Sequence, residues 1–439
     1  MGNQSAKTSS KSFSNVSPNE LAIIESTIHK SNDIKQNDVQ KVWSEYITPT
    51  LLQNYSRFIF SRSPQNSPNL NLKSFTILLS ELGRGSSDQQ AAALYLILRS
   101  SEEVTAGDME QYVIQLLQSC FKILEKKQNK SYLKWKKIAA DSFDSDVSGV
   151  SSYLCQDLKR ENNVISEDFI ANWSAQCQMI HLLHSFVILH LYGLYQSQES
   201  SGQQMPFFLP NLKLLPGSEN ATSQLSLPGI LFLNQLLPVE FQRDWRLLFS
   251  SNLHGESFSM MQKYVLEQGP SIIIVRDSDG HVFGGFANDS WRLGPKFYGD
   301  SSCFLFTLSP RFSVSRSTGY NSHYMYINTN QSTLPNGLGM GGQFDYWGLW
   351  IDSEFGVGAC SNTCTTFDNY TCLSKDKNFH IASLEVWGVG IPPPTAAERG
   401  EREVGKSILD KDPTASSILE IAGKTRHSDG LRDRPDDEM

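Results

Sequence analysis

The sequence predicts an α+β chain of more than one domain, a helical half followed by a strand-rich half, and three observations carry that prediction. Apolar residues recur at helical spacing from residue 17 to about residue 195. From about residue 271 the pattern changes to short β-branched and aromatic runs bounded by turn residues. Between the two, residues 196–228 are rich in Ser, Gln, Pro and Gly and hold no sustained period. A length of 439 residues agrees, since two or three compact units of ordinary size fit it with some tail left over.

Residues 1–16 form a Ser- and Lys-rich tail whose start, Met1-Gly2-Asn3-Gln4-Ser5, resembles an N-myristoylation signal with Gly2 as the lipidation site. Ala6 stands where the usual hydroxyl is found, and Ser5 comes one residue early. One acyl chain gives only marginal, reversible binding, so stable residence on a membrane needs a second contact. The helical domain, residues 17–195, opens on Ser17-Pro18-Asn19-Glu20, a capping box with proline in the first turn. Leu21, Ile24 and Ile28 follow at helical spacing, and similar stripes recur at 51–60, 75–82, 94–98, 113–124 and 169–195.

Three segments of this domain, Leu70/Ser74/Phe75, Val104/Asp108/Met109 and Val164/Asp168/Phe169, resemble the exits of EF-hand loops. None carries the alternating carboxylates and terminal bidentate glutamate that calcium requires. A fourth, Asp144-Ser-Asp146-Val-Ser148-Gly149, opens like a calcium loop but reaches Cys155 where glutamate is needed. The expectation is an all-helical, degenerate EF-hand-like scaffold that does not bind calcium. Lys122, Lys126, Lys127, Lys130, Lys134, Lys136 and Lys137 crowd one stretch of it. They read first as a solvated helix and loop, and second as a surface leaning on anionic lipid, where each lysine is worth ~1 kcal/mol.

Residues 196–228 are assigned as a linker. The second domain, residues 229–391, is expected to hold strands at 271–275, 281–283, 303–306, 323–327, 349–351 and 384–387, with the clearest hairpin at Asp277-Ser-Asp279-Gly280. A helical entry at 238–248 and a helix near 257–267 precede and flank them. The glycines at 284–285 and 337–342 suit tight turns and close strand packing better than a phosphate cradle. Residues 392–439 form a C-terminal tail with one short amphipathic helix. Asp412 caps it, Pro413 fills the first turn, and Ala415, Ile418, Leu419 and Ala422 make an apolar stripe that Gly423 stops. So short a helix is marginal alone in water, so its stripe needs a groove either on the second domain of this chain or on a partner; with Ile408 and Leu409 these are the expected partner-binding residues.

A net charge of −8 argues against nucleic acid as the main partner. Seven scattered cysteines with no apolar leader before them indicate a reducing, cytosolic compartment. The longest apolar stretch, 179–195, is near the lower limit for a membrane span and carries His181, His184 and His190, so it reads as a buried helix. Gly400-Glu-Arg-Glu-Val-Gly405-Lys406-Ser407 spells a P-loop, but it follows Pro392-Pro393-Pro394 instead of a hydrophobic strand and sets two glutamates against the phosphates. No cofactor is assigned. Cys360, Cys364 and Cys372 would need His380 or a distant fourth ligand to hold zinc, so loop thiols are the preferred reading. His254, Glu256 and Cys303 are the best material for an alternative reading as an antioxidant or hydrolytic enzyme, provided they meet in space. No catalytic residue is assigned.

Four motifs run in order through the second domain: W-R-L-L-F-S-S-N-L-H-G-E-S-F, D-G-H-V-F-G-G-F, T-G-Y-N-S-H-Y-M-Y and P-N-G-L-G-M-G-G-Q-F-D-Y-W-G-L-W. Together they resemble a TLDc domain. The resemblance implies a compact β-sandwich edged by helices, with no catalytic residues to carry over. The M-G-N start, the EF-like helical domain and the tail motifs at 407–410, 419–421 and 426–430 narrow it to the members of that family tied to mTOR signalling. What it then implies is a non-enzymatic adaptor in the cytoplasm and on the cytosolic face of the lysosomal membrane, held there by a myristoyl group. Its implied partners are the mTOR kinase complex and the vacuolar-type proton ATPase.

Overall fold

The computed structural model describes residues 16–27, 34–61, 69–99, 103–160, 164–195, 208–215, 217–218 and 220–394. Gly2, Ile408, Leu409, Ala415, Ile418, Leu419, Ala422 and the P-loop look-alike lie outside them.

Several helices begin where the sequence supplies caps. At α1 (Pro18–Thr27), Ser17 N donates to Glu20 Oε2 at 2.9 Å while Glu20 N donates to Ser17 Oγ at 3.3 Å. Reciprocal caps of the same kind start α5 (Ser87–Leu98), from Ser86 and Gln89, and α6 (Ala106–Lys126), from Thr105 and Asp108. Ahead of them lie α2 (Gln36–Trp43), α3 (Pro49–Phe60) and α4 (Leu72–Phe75). Behind them come α7 (Lys130–Lys136), α8 (Phe143–Leu154), α9 (Glu167–Gln176) and α10 (Gln178–Leu191). Two short antiparallel contacts tie the connecting loops. One pairs β1 (Ile34–Lys35) with β2 (Asn69–Leu70), and the other bridges Thr105 to Val164.

The segment read as an opening calcium loop is α8 itself, and the reason lies in its tertiary contacts. A Cβ on Gly149 would sit 2.4 Å from Phe312, so this glycine makes room for a ring and does not turn a loop. Asp146 Oδ2 accepts from Ser142 Oγ at 2.8 Å and from Ser226 Oγ at 2.5 Å. That carboxylate is thereby committed to a local hydroxyl contact and to a long-range tie.

The strand-rich half is antiparallel apart from one parallel edge. One sheet runs β4 (Asp244–Ser250), β13 (Asn378–Val389), β5 (Ser271–Asp277), β6 (Val282–Ala287), β7 (Phe304–Ser309) and β8 (Ser313–Arg316). The other runs β12 (Val357–Ala359), β11 (Tyr346–Asp352), β10 (Gly337–Gln343) and β9 (Tyr326–Asn328). The long β13 joins them, pairing with β12 through its first three residues and with β5 beyond. The two sheets face each other: Ile273, Val275, Phe283 and Leu305 from the first meet Leu338, Met340, Leu349 and Ile351 from the second. The alternate residues Ile272, Ile274, Phe286, Phe304 and Phe306 point the other way, into a core shared with the helices. A strand buried on both faces must be apolar throughout, which explains the unbroken Ile-Ile-Ile-Val run.

The described residues up to Ile391 therefore form three layers, helices on sheet on sheet. Trp135 of α7 lies at the seam, 5.9 Å from Trp245 of β4 and 5.1 Å from Trp387 of β13 by ring centroid. All three are at most 1% exposed. Each indole N–H is satisfied, by Pro210 O, Asn234 Oδ1 and Glu385 Oε2 respectively.

Two expectations are corrected here. The described part of the expected linker is packed structure: β3 (Asn211–Lys213) runs parallel to β4, and Leu212, Ala221 and Leu225 are buried. Ser223 Oγ and Gln224 N both donate to the buried Glu385 carboxylate, at 2.9 and 2.7 Å. Small polar residues looked like a linker because their role is to satisfy buried groups at a seam, which leaves no periodicity. The expected helical entry at 238–248 is instead one 3-10 turn (Val239–Phe241) followed by β4, while the helix before it, Leu227–Leu236, is buried. Short apolar runs do not distinguish a buried strand from a buried helix.

Candidate functional site

A polar cluster forms around the β5–β6 hairpin. Gly280 turns the chain at a φ of +86°, which brings His281 back over Asp277. Asp277, at the buried end of β5, accepts from His281 N at 2.8 Å through Oδ1 and from Ser374 Oγ at 2.5 Å through Oδ2. His281 Nδ1 lies 3.4 Å from Asp277 Oδ2 without hydrogen-bond alignment. The carboxylate thus clamps the hairpin to the loop that leads from β12 to β13.

That loop carries the three clustered cysteines and forms one wall of a cleft of about 570 Å³. Tyr153 and Asp157 of the helical layer, Arg311 beside the β7–β8 turn, His281, Cys372 and Ser374 face it. Cys360 Sγ and Cys372 Sγ are 3.1 Å apart, and both sit 3.7 Å from Asp376 O. Cys364 turns away to pack over Gly341 and Gly348. The hydrogen-bond contact between the two sulfurs, in which either thiol can donate, pulls the Cys372 pKa below its ordinary value. The same contact, with burial behind it, pushes Cys360 up. Among the described residues no three His, Cys, Asp or Glu side chains gather closely enough to hold a metal ion.

The residues of the enzyme alternative do not meet in this cleft. His254 Nδ1 accepts from Ser250 N at 3.1 Å and its ring stacks on Tyr264, while Glu256 is exposed. Cys303 donates to Asn288 Oδ1 at 3.0 Å, and burial pushes its thiol up to about 12. A protonated, buried thiol is a poor nucleophile. No hydrogen bond joins His254 to Cys303, so this set has no assembled nucleophile and base.

The helical-layer candidates are likewise engaged. His184 bonds Tyr112 Oη at 2.8 Å, His181 bonds Ser174 O and His190 bonds Phe186 O. Lys122 Nζ donates to Ser44 O and Ile47 O, Lys126 pairs with Glu45, Lys136 pairs with Glu125, and Lys127 lies 5.3 Å from the Tyr46 ring centroid. Lys130, Lys134 and Lys137 are exposed.

The glycine-rich β10 packs strands and aromatic rings. A Cβ on Gly339 would lie 2.4 Å from the Trp347 ring, and Trp347 stacks on Trp350 at 4.4 Å between centroids. With Tyr326, Phe297 and Phe344 they form a separate aromatic cluster on the face of the second sheet away from the sandwich interior. Sequence reasoning missed both the cleft and this cluster. No local pattern signals the first, because the Asp277 and Ser374 that tie its wall are 97 positions apart.

Residues 221–390 match the TLDc domain family. The MTOR-associated protein MEAK7 of Gallus gallus is 36% identical over 391 residues, covering 86% of this chain and 82% of that protein. The protein of the same name in Danio rerio is 32% identical over 459 residues and is covered from end to end, as is this chain. The Homo sapiens nuclear receptor coactivator 7 is 37% identical over 157 residues, which are 35% of this chain and 16% of that protein.

Proposed function

The chain belongs to the TLDc-domain family of the mTOR-associated MEAK7 proteins, and on that premise we propose that it is a non-enzymatic, mTOR-linked adaptor working at the lysosomal membrane. The observation that carries the proposal is the identity of 32–36% sustained over 82–100% of relatives whose name states mTOR association. A shared domain alone, as with the coactivator, would support far less. The relatives bear the names of associated and coactivator proteins, not of enzymes. The engagement of His254 with Ser250 and of Cys303 with Asn288 favours the same side.

In this reading the TLDc sandwich and the C-terminal helix dock on the vacuolar-type proton ATPase, and the N-terminal acyl group on Gly2 supplies the membrane contact. The exposed Lys130, Lys134 and Lys137 provide the second, electrostatic contact that one acyl chain needs. Cross-linking on intact lysosomes followed by capture of the tagged chain tests it. Recovery of mTOR and of cytosolic pump subunits with the wild type, and loss of the membrane-bound fraction in Gly2→Ala, is the expected result. If mTOR is absent from the captured material the adaptor reading falls. If Gly2→Ala fractionates like wild type, the acyl anchor falls with the adaptor reading intact.

A further inference from the structure

We propose that Cys372 is a peroxide-reactive thiol and Cys360 its resolving partner, so that a hydroperoxide converts the loop between β12 and β13 to a disulfide-stapled form. The inference stands on placement and does not depend on the adaptor reading. Cys372 is half-buried and faces the cleft, where a small hydroperoxide has access; Cys360 is buried directly behind it at 3.1 Å. Closing that gap to a disulfide length of about 2 Å requires a shift of about 1 Å in two side chains. The geometry also separates the roles, since only the thiol on the cleft side can meet the oxidant first.

The electrostatics point the same way. The donated Cys360 S–H, then the backbone at Ser374 and the charge of Lys377, favour the Cys372 thiolate against burial and Asp376. Burial holds Cys120, Cys177, Cys303 and Cys364 in the protonated form. The thiolate is the nucleophile toward peroxide.

The chemistry balances in two steps. Cys372 S⁻ attacks the terminal oxygen of ROOH, the O–O bond breaks, and ROH leaves after taking one proton, giving a sulfenic acid at Cys372. Cys360 Sγ then attacks Cys372 Sγ, the S–O bond breaks, and the departing hydroxide takes the Cys360 proton to leave as water. Two thiols are oxidised by two electrons in all, and one hydroperoxide is reduced. The disulfide closes a ring around Cys364, Phe367 and Tyr370, whose packing on Gly341 and Gly348 fixes the cleft wall.

The full-length protein, reduced and then treated with a slight excess of hydrogen peroxide, is alkylated and mapped by mass spectrometry. The expected products are a Cys360–Cys372 disulfide in the wild type and a dimedone adduct on Cys372 in Cys360→Ala. Neither should form in Cys372→Ser. Before oxidation, iodoacetamide at neutral pH should modify wild-type Cys372 at least about tenfold faster than Cys303. This last measurement needs no variant and stands if either substitution fails to fold. The proposal is overturned if peroxide oxidises other thiols while Cys360 and Cys372 remain alkylatable. It is equally overturned if Cys372 reacts no faster than Cys303, or if dimedone marks Cys360 in Cys372→Ser and not Cys372 in Cys360→Ala.

Discussion

His184 is fully enclosed between helices and shares a chain of hydrogen bonds with Tyr112 and Tyr55, at 2.8 and 2.9 Å. Burial, reinforced by His181, pushes its pKa down to about 3; burial likewise takes His190 to about 4. The unfolded chain takes up these protons near pH 6.5, whereas the folded one does not until far lower. Stability is therefore fully present above about pH 6.5 and falls as pH drops, by about 1.4 kcal/mol per pH unit for each histidine, until the folded values of about 4 for His190 and about 3 for His184 are reached. Urea unfolding of His184→Gln at pH 7 and pH 5 should show the acid loss reduced by about 2 kcal/mol relative to wild type. An unchanged difference would mean that the ring is protonated in the fold. The three histidines on one apolar stretch did announce a buried helix from sequence. Their partners, 72 residues away in the case of Tyr112, did not.

The helix α8 sets two effects of known size against each other. In a helix interior, alanine is favoured over glycine by about 1 kcal/mol. At Gly149 the new methyl meets the Phe312 ring at 2.4 Å, and that ring is itself held by Phe232 at 5.2 Å. Overpacking of this kind costs about 1–3 kcal/mol, so Gly149→Ala should lower the melting temperature. Gly107, near the start of α6, is exposed and its new Cβ would meet nothing closer than Thr105 Oγ1 at 3.6 Å. Gly107→Ala should accordingly raise the melting temperature or leave it level. Melting both variants side by side decides whether packing, and not calcium-loop geometry, explains Gly149. At this scale capping was legible in the sequence, because Ser17 and Glu20 act within one turn. The strand β4 was not legible, because its identity depends on β13, more than a hundred residues downstream.

At the scale of the molecule, the helices and the first sheet share a core through the tryptophans at 135, 245 and 387, so the described helical and strand-rich parts are packed together and not joined by a free linker. The C-terminal stripe belongs to this scale as a proposed docking element. Burying Ile418 and Leu419 fully would contribute roughly 3–6 kcal/mol before ordering costs. Ile418→Asp with Leu419→Asp should weaken capture of the pump or kinase complex sharply while leaving the melt of residues 17–391 nearly unchanged. A lower melt with capture intact would make the stripe part of the fold. The sequence by itself determined what acts over short range or by ordered motif: the α+β class, the caps, the β5–β6 hairpin and the TLDc motifs, since each is encoded within a few residues. Only the tertiary structure decided that the described part of the expected linker is mortar, that Gly149 is a packing site and that Cys360 lies against Cys372 behind a cleft. Those facts depend on which distant surfaces close on one another, and the energy that selects them is spread over contacts no local window contains.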